Sequence, residues 1–188
     1  MILGVTGTNG AGKGAVVDYL IQKGFEHYSL RDLITEEVMR RGLEVNRPNM
    51  GAVGTDLRRI HGPAYFTDTF IRHAEELGVK NIVMESIRTL SERENIRAHG
   101  GFVIGVNAPE QVRYERITAR KTETDRVSFE EFRAQEDAEY YTKDPSDPAQ
   151  MNVLGVLESA DYTLVNDGSL EELHHKIDTM LTELTQRS

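Results

Sequence analysis

Near its start the chain carries Gly7-Thr8-Asn9-Gly10-Ala11-Gly12-Lys13-Gly14-Ala15, directly after the apolar run Ile2 to Thr6. Glycines at this spacing let successive backbone N–H groups turn inward as a nest for an anion. A helix that begins here adds the partial positive charge of its N-terminus. Lys13 supplies a mobile ammonium suited to the β- and γ-phosphates of a nucleoside triphosphate. A plain glycine-rich turn would need neither the strand before it nor the lysine and helix after it, so the ordered set favours phosphate binding.

Such a loop usually ends in Ser or Thr, whose hydroxyl contacts a magnesium ion. Here that position is Gly14, and Ala15 offers no hydroxyl either. Gly-Ala-Gly-Lys-Gly resembles the P-loop of adenylate kinases and related nucleoside monophosphate kinases, which also place Gly after the lysine. The resemblance implies ATP bound along Gly7 to Ala15. It also implies Mg2+ held through water, the phosphates and a carboxylate elsewhere.

Three further segments extend the resemblance to most of the chain. Ser29-Leu30-Arg31-Asp32-Leu33-Ile34 looks like the opening of the monophosphate-binding region of nucleotide kinases. It looks equally like the segment of dephospho-CoA kinases that carries their catalytic Asp, which puts Asp32 in that role. A first-turn carboxylate also suits the helix dipole without any catalytic duty. Nucleoside monophosphate kinases often have Arg where Thr35 stands, so a phosphate contact is expected from Arg31 instead. Ile82-Val83-Met84-Glu85-Ser86-Ile87-Arg88-Thr89 resembles the strand that ends in an acid and precedes a phosphate-clamping Arg. By that likeness Glu85 holds magnesium-bound water and Arg88 forks onto a transferring or accepting phosphate. The acid is Glu where the family has Asp.

Arg113, Arg116 and Arg120 recur at spacings of three and four, which puts them on roughly one helical face. Arg116-Ile117-Thr118-Ala119-Arg120 resembles the element leading into the lid of nucleotide kinases. The likeness implies Arg116 stacked on adenine and Arg120 neutralising charge in the transition state. Arg126 and Arg133, beyond a polar stretch, would close onto phosphates. A solvated helix paired with Glu110 and Glu115 is the plainer reading. The acids Glu130, Glu131, Glu136, Asp137 and Glu139 read as a solvent face. Ala160 to Leu173 resembles the C-terminal element of dephospho-CoA kinases and of related archaeal-type P-loop proteins, which implies Asn166 and Gly168 beside adenine. The stretch from Arg41 to Pro63 is similar to that archaeal-type group too; Arg47 and Arg58 are its candidate anion contacts.

The elements that must carry these residues alternate short apolar runs with longer amphipathic ones, the pattern of an α/β chain with a parallel sheet. Strands are expected at 2–6, 26–29, 81–85, 102–106 and 162–166. Helices are expected from Lys13 to Lys23, Leu30 to Arg41, Ala64 to Leu77, Pro109 to Arg120 and Ser169 to Leu184, with another capped by Asn49 and closed by Gly62-Pro63. A mobile polar segment (121–127) and a charged helix complete the pattern. The P-loop resemblance implies a three-layer fold with a five-stranded parallel sheet in one domain. A helical acceptor arm at about 30–77 and a short lid at about 118–135 would close over it.

Composition narrows the function classes. The chain has 188 residues with a formal net charge of −9, which disfavours duplex nucleic acid as a ligand. No cysteine is present, which excludes disulfides, thiolate catalysis and cysteine zinc sites. The histidines show no ligand spacing, and no apolar stretch reaches the ~20 residues of a bilayer span. A cytoplasmic, soluble protein is the expectation, with no nucleic-acid or membrane partner. The function expected is phosphoryl transfer from ATP to a nucleotide or CoA-precursor acceptor, foremost a nucleoside monophosphate. The alternatives are a ribose hydroxyl, as in dephospho-CoA kinase, and a nucleotide-binding regulatory NTPase without an acceptor.

Overall fold

Five parallel strands form the centre of the computed structural model, which describes residues 1–119, 128–140, 144 and 146–187. They are β1 (Ile2–Gly7), β2 (Glu26–Ser29), β3 (Ile82–Glu85), β4 (Phe102–Asn107) and β5 (Tyr162–Val165). Their order is β2-β3-β1-β4-β5. From β1 the chain winds to one side, through β2 and β3, and then to the other, through β4 and β5. The loop after β1 therefore sits where the winding reverses, the place where open α/β sheets bind ligands.

Strand alternation sends side chains to two separate cores. Ile82 and Met84 pack with Leu30, Ile34, Val53, Leu57, Phe66 and Ile96 on one face. Val83 packs with Leu3, Val5, Leu20, Ile177 and Met180 on the other. The first face is covered by α2 (Leu30–Arg40), α3 (Arg47–His61), α4 (Tyr65–Leu77) and α5 (Leu90–Ala98). The second is covered by α1 (Lys13–Gln22) and α9 (Leu170–Thr185). The helices α6 (Glu110–Ala119), α7 (Phe129–Tyr140) and α8 (Val153–Glu158) complete the described elements. This is the α/β P-loop fold expected, with the strands within one residue of their predicted ends.

Three local expectations change. Asn46, not Asn49, caps α3: its side chain accepts from Asn49 N–H, and Arg47-Pro48 fills the first turn, where proline's missing N–H costs nothing. The helix α5 was not expected, although Thr89-Leu90-Ser91-Glu92 is a capping box in which each side chain bonds the other residue's backbone. The short α8 was also not expected; Asn152 caps it through Gly155 N–H. Among the described residues no helix is long and apolar enough to cross a membrane.

Candidate phosphate and acceptor site

The glycine loop has the backbone its composition demands. Gly10 and Gly12 have φ of 78° and 96°, and any side chain there would strike its surroundings. A Cβ on Gly10 would lie 2.5 Å from Arg113 O, and one on Gly12 would lie 2.2 Å from Asn166 Nδ2. Gly14 differs: nothing lies within 4 Å of its Cβ position, so its lack of a hydroxyl is not imposed by space. Lys13 Nζ donates to Gly7 O and Thr8 O, both at 2.9 Å, which folds the ammonium back over the nest.

The back of the loop is held by residues remote in sequence. Asn166, at the end of β5, donates from Nδ2 to Ala11 O at 2.8 Å. Arg116 on α6 donates from Nη1 to Asn166 O at 3.1 Å. These contacts bring Arg116, Asn166 and Gly12 together. Gly168 lies in the exposed turn just before Ser169, which caps α9. Arg113 is buried and donates from Nε to Ala108 O at 3.0 Å. Its Nη1 reaches Asn9 O and pairs with Glu136 of α7. Glu136 therefore does not lie on the solvent face expected from its acidic neighbours; it is buried against Arg113. Tyr114, Phe129 and Phe132 pack as an aromatic group between α6 and α7. Removing these two helices' apolar faces from water requires their charged pair to come along, and pairing is what makes its burial tolerable.

In front of the loop lies a cleft of about 550 Å³. The glycine loop and Lys13 form one end. Leu30, Arg31 and Ile34 of α2 form a wall, and Arg47, Met50, Gly51, Gly54 and Arg58 of α3 form the facing one. Glu85, Ser86 and Arg88 close the floor after β3, with Met151 beside them. Asn152 N–H donates to Arg88 O at 2.7 Å, which brings Met151 against the Arg88 guanidinium. Surface ion pairs hold the arm: Arg41–Asp56 at 2.6 Å ties α2 to α3, and Arg59–Asp147 at 2.6 Å ties α3 to the segment before α8.

The structure thus gathers Lys13, Arg31, Arg47, Arg58, Glu85 and Arg88 around one space. Arg58 is engaged from behind by Glu92, through Nε at 2.8 Å. Glu85 accepts from Ser29 Oγ at 3.3 Å. Asp32 stands apart: it is exposed in the first turn of α2, its N–H donates to Ser29 Oγ, and it is not among the residues lining the cleft. Arg133 is exposed on α7 and pairs with Glu110 at 3.1 Å, away from the cleft. Arg120, Arg126 and the rest of 120–127 in the expected lid lie outside the described residues. Sequence reasoning missed Ser86 and Met151. Nothing in the local pattern marks Met151, which lies beside the Arg88 guanidinium and near Gly51 of α3.

Among the described residues no three His, Cys, Asp or Glu side chains cluster as a metal cage. Glu85 is the one carboxylate lining the cleft among the described residues. Mg2+ bound to a nucleotide uses one or two carboxylates plus phosphates and water, so this sparse set fits it.

A family model described as AAA domain matches residues 3–141. A UPF0200 protein from Thermococcus gammatolerans is 30% identical over 192 residues, which cover 98% of this chain and 95% of that protein. A UPF0200 protein from Pyrobaculum aerophilum is 32% identical, covering 97% of this chain and 98% of its own. Among solved structures, TT1252 from Thermus thermophilus aligns with a TM-score of 0.59 and 27% identity, over 98% of this chain and 97% of that one. Shikimate kinase from Aquifex aeolicus aligns at 0.53 and 17%, and dephospho-CoA kinase from Campylobacter jejuni at 0.51 and 18%. Each covers 97% of this chain and 96% of the other, and at these identities they show a shared P-loop kinase-like fold.

Proposed function

Because the chain belongs to the AAA domain family and to the UPF0200 proteins, we propose that it transfers the γ-phosphoryl group of ATP to a small phosphorylated acceptor, foremost a nucleoside monophosphate. The observation that carries this reading is the cleft beside Lys13, where Arg31, Arg47 and Arg88 converge. A monophosphate acceptor presents an ionised oxygen, so it needs guanidinium forks and no general base. A hydroxyl acceptor benefits from a carboxylate, and Asp32, the residue placed in that role by sequence, does not line the cleft.

Catalysis in this reading rests on position and charge. The nest from Gly7 to Ala15 would bind the phosphates through N–H groups, and Lys13 would exchange its loop carbonyls for β- and γ-oxygens. Arg88, rooted after β3, would follow the transferred group. Arg31 and Arg47 would hold the acceptor in line from α2 and α3. Arg116 and Asn166 would border the adenine behind the loop. Magnesium, held through Glu85, would neutralise phosphate charge when bound.

ADP release measured against a panel of nucleoside monophosphates and dephospho-CoA tests the proposal. A monophosphate should stimulate release at least tenfold over ATP alone. Stimulation by dephospho-CoA instead, lost in Asp32→Asn, would move the acceptor to a ribose hydroxyl. Slow hydrolysis unaffected by every acceptor would favour the regulatory NTPase.

A further inference from the structure

The segment between Glu85 and Arg88 contains a backbone conformation unlike any other non-glycine residue among those described. Ser86 has φ of +68°. Its neighbours on both sides explain why the chain cannot relax. Glu85 is in register with Val5 of β1, and two residues on, Ile87 N–H donates to Val5 O at 3.1 Å. Ile87 O accepts from Thr6 Oγ1 at 2.8 Å. With both flanks fastened to β1, Ser86 is the residue squeezed out of the ladder, and the left-handed conformation takes up the slack. Glycine serves such a position without steric conflict; serine is strained there. Backbone strain of this kind persists where the surrounding structure enforces it, and it clusters at ligand sites.

Ser86 lines a small recess with Gly7, Lys13, Ile87 and Arg88, and it also lines the floor of the main cleft. It follows Glu85, the one carboxylate lining that cleft among the described residues. Gly14 lines the same cleft as Ser86. Gly14 and Ala15 occupy the loop positions from which a hydroxyl would reach a nucleotide-bound cation, and neither has one. The loop thus lacks a hydroxyl, while Ser86, in a costly conformation just after β3, brings one to the lining of the same cleft.

We propose that the Ser86 hydroxyl is a ligand of the divalent cation that accompanies the nucleotide, in place of the P-loop Ser or Thr that this chain lacks. The inference rests on the nucleotide-binding reading above. It assigns Ser86 and Glu85 as adjacent oxygen donors from the β3 end, a hard-donor pair suited to magnesium or manganese rather than to a soft metal. Phosphates and water would fill the other positions.

The test separates the metal from the nucleotide. ATP is titrated into the full chain by calorimetry, once with Mg2+ and once with excess EDTA, for the unaltered chain, Ser86→Ala and Ser86→Gly. Each variant should lose the gain in affinity that Mg2+ confers, by about tenfold, while affinity in EDTA stays the same. Ser86→Gly should also leave the ligand-free melting temperature equal or higher, because glycine releases the strain; a merely structural Ser86 would not combine better folding with weaker metal-dependent binding. Adding Gly14→Ser to Ser86→Ala should restore the Mg2+ gain, since the space at Gly14 is open. Equal Mg2+ dependence in all three chains would overturn the assignment. Equal loss with and without Mg2+ would overturn it as well, by making Ser86 a phosphate contact. No ATP uptake by the unaltered chain would bring down the nucleotide reading itself.

Discussion

Arg58 of α3 and Glu92 of α5 form an ion pair closed off from solvent, with Nη2 to Oε1 at 2.7 Å and side-chain exposures of 2% and 0%. The arginine lies over the Phe66 ring, 4.8 Å from its centroid. The same carboxylate accepts from Arg88 N–H at 2.9 Å and Thr89 N–H at 3.1 Å. One buried acid thus joins the wall of the cleft to the turn that carries Arg88.

Removing one partner of such a pair leaves a buried charge without its counter-ion. Glu92→Ala should lower stability by about 3–5 kcal/mol. Replacing both, Arg58→Met with Glu92→Leu, should cost less than Glu92→Ala alone. Urea unfolding of the variants measures both values; a Glu92→Ala chain within 1 kcal/mol of the original would show that the pair contributes little.

Lys13 carries no part of either apolar core, and its ammonium donates to the loop carbonyls of Gly7 and Thr8. Lys13→Ala should therefore leave the melting temperature of the ligand-free protein within about 2 °C. It should reduce phosphoryl transfer by about 100- to 1,000-fold, the usual effect of deleting one charge-stabilising donor. Single-turnover rates with saturating ATP check the second point.

Arg31 and Arg47 face the cleft from α2 and α3, whereas the loop that would hold ATP lies at its end. Arg31→Ala and Arg47→Ala should each raise the acceptor KM by about 10- to 100-fold, as expected for a lost charge-assisted hydrogen bond. The ATP affinity should stay unchanged. A rise confined to ATP would place these side chains on the wrong substrate.

Glu37 of α2 takes bonds from Arg40 first and Arg41 second, and its pKa falls from 4.5 to about 2. A carboxyl with a depressed folded pKa stabilises the protein above its unfolded pKa and loses that contribution as the pH falls through the folded one. The window is therefore pH 4.5 down to about 2. Glu37→Gln should flatten the decline in urea midpoint across that window, and 1 M salt should shrink the difference between the two chains. An unchanged slope would remove Glu37 from the acid response.

How much could be read in advance depended on the range of the interaction. The glycine loop was legible because its constraint is local: spacing, strand, lysine and helix follow one another along the chain. The five strands were legible because buried parallel strands are continuous apolar runs. The capping box at Thr89 and Glu92 was equally local and was passed over, since the following segment has only Leu90 and Ile96 to suggest an apolar face. Asn46 and Asn49 can both cap and both precede helical sequence, so the local pattern does not choose between them; in the fold Asn46 takes the role, accepting from Asn49 N–H with Pro48 tolerated in the first turn.

Charge proved the less legible property. Glu136 and Glu130 have the same side chain on the same helix, yet one is buried against Arg113 and the other is exposed. Arg58 and Arg59 are neighbours, yet one is enclosed with Glu92 and the other pairs at the surface with Asp147. A carboxylate or guanidinium is placed by which partner arrives from another element, and no local pattern encodes that meeting.

The chain alone specified the anion nest, its lysine and the sheet behind it, because backbone conformation and apolar periodicity act over a few residues. Only the assembled fold put Arg31, Arg47 and Arg88 across one cleft, left Asp32 outside it and held Ser86 in a left-handed turn. Those outcomes follow from helices packed against a twisted sheet and from bonds between segments remote in sequence, such as Thr6 Oγ1 of β1 to Ile87 O, 81 residues on.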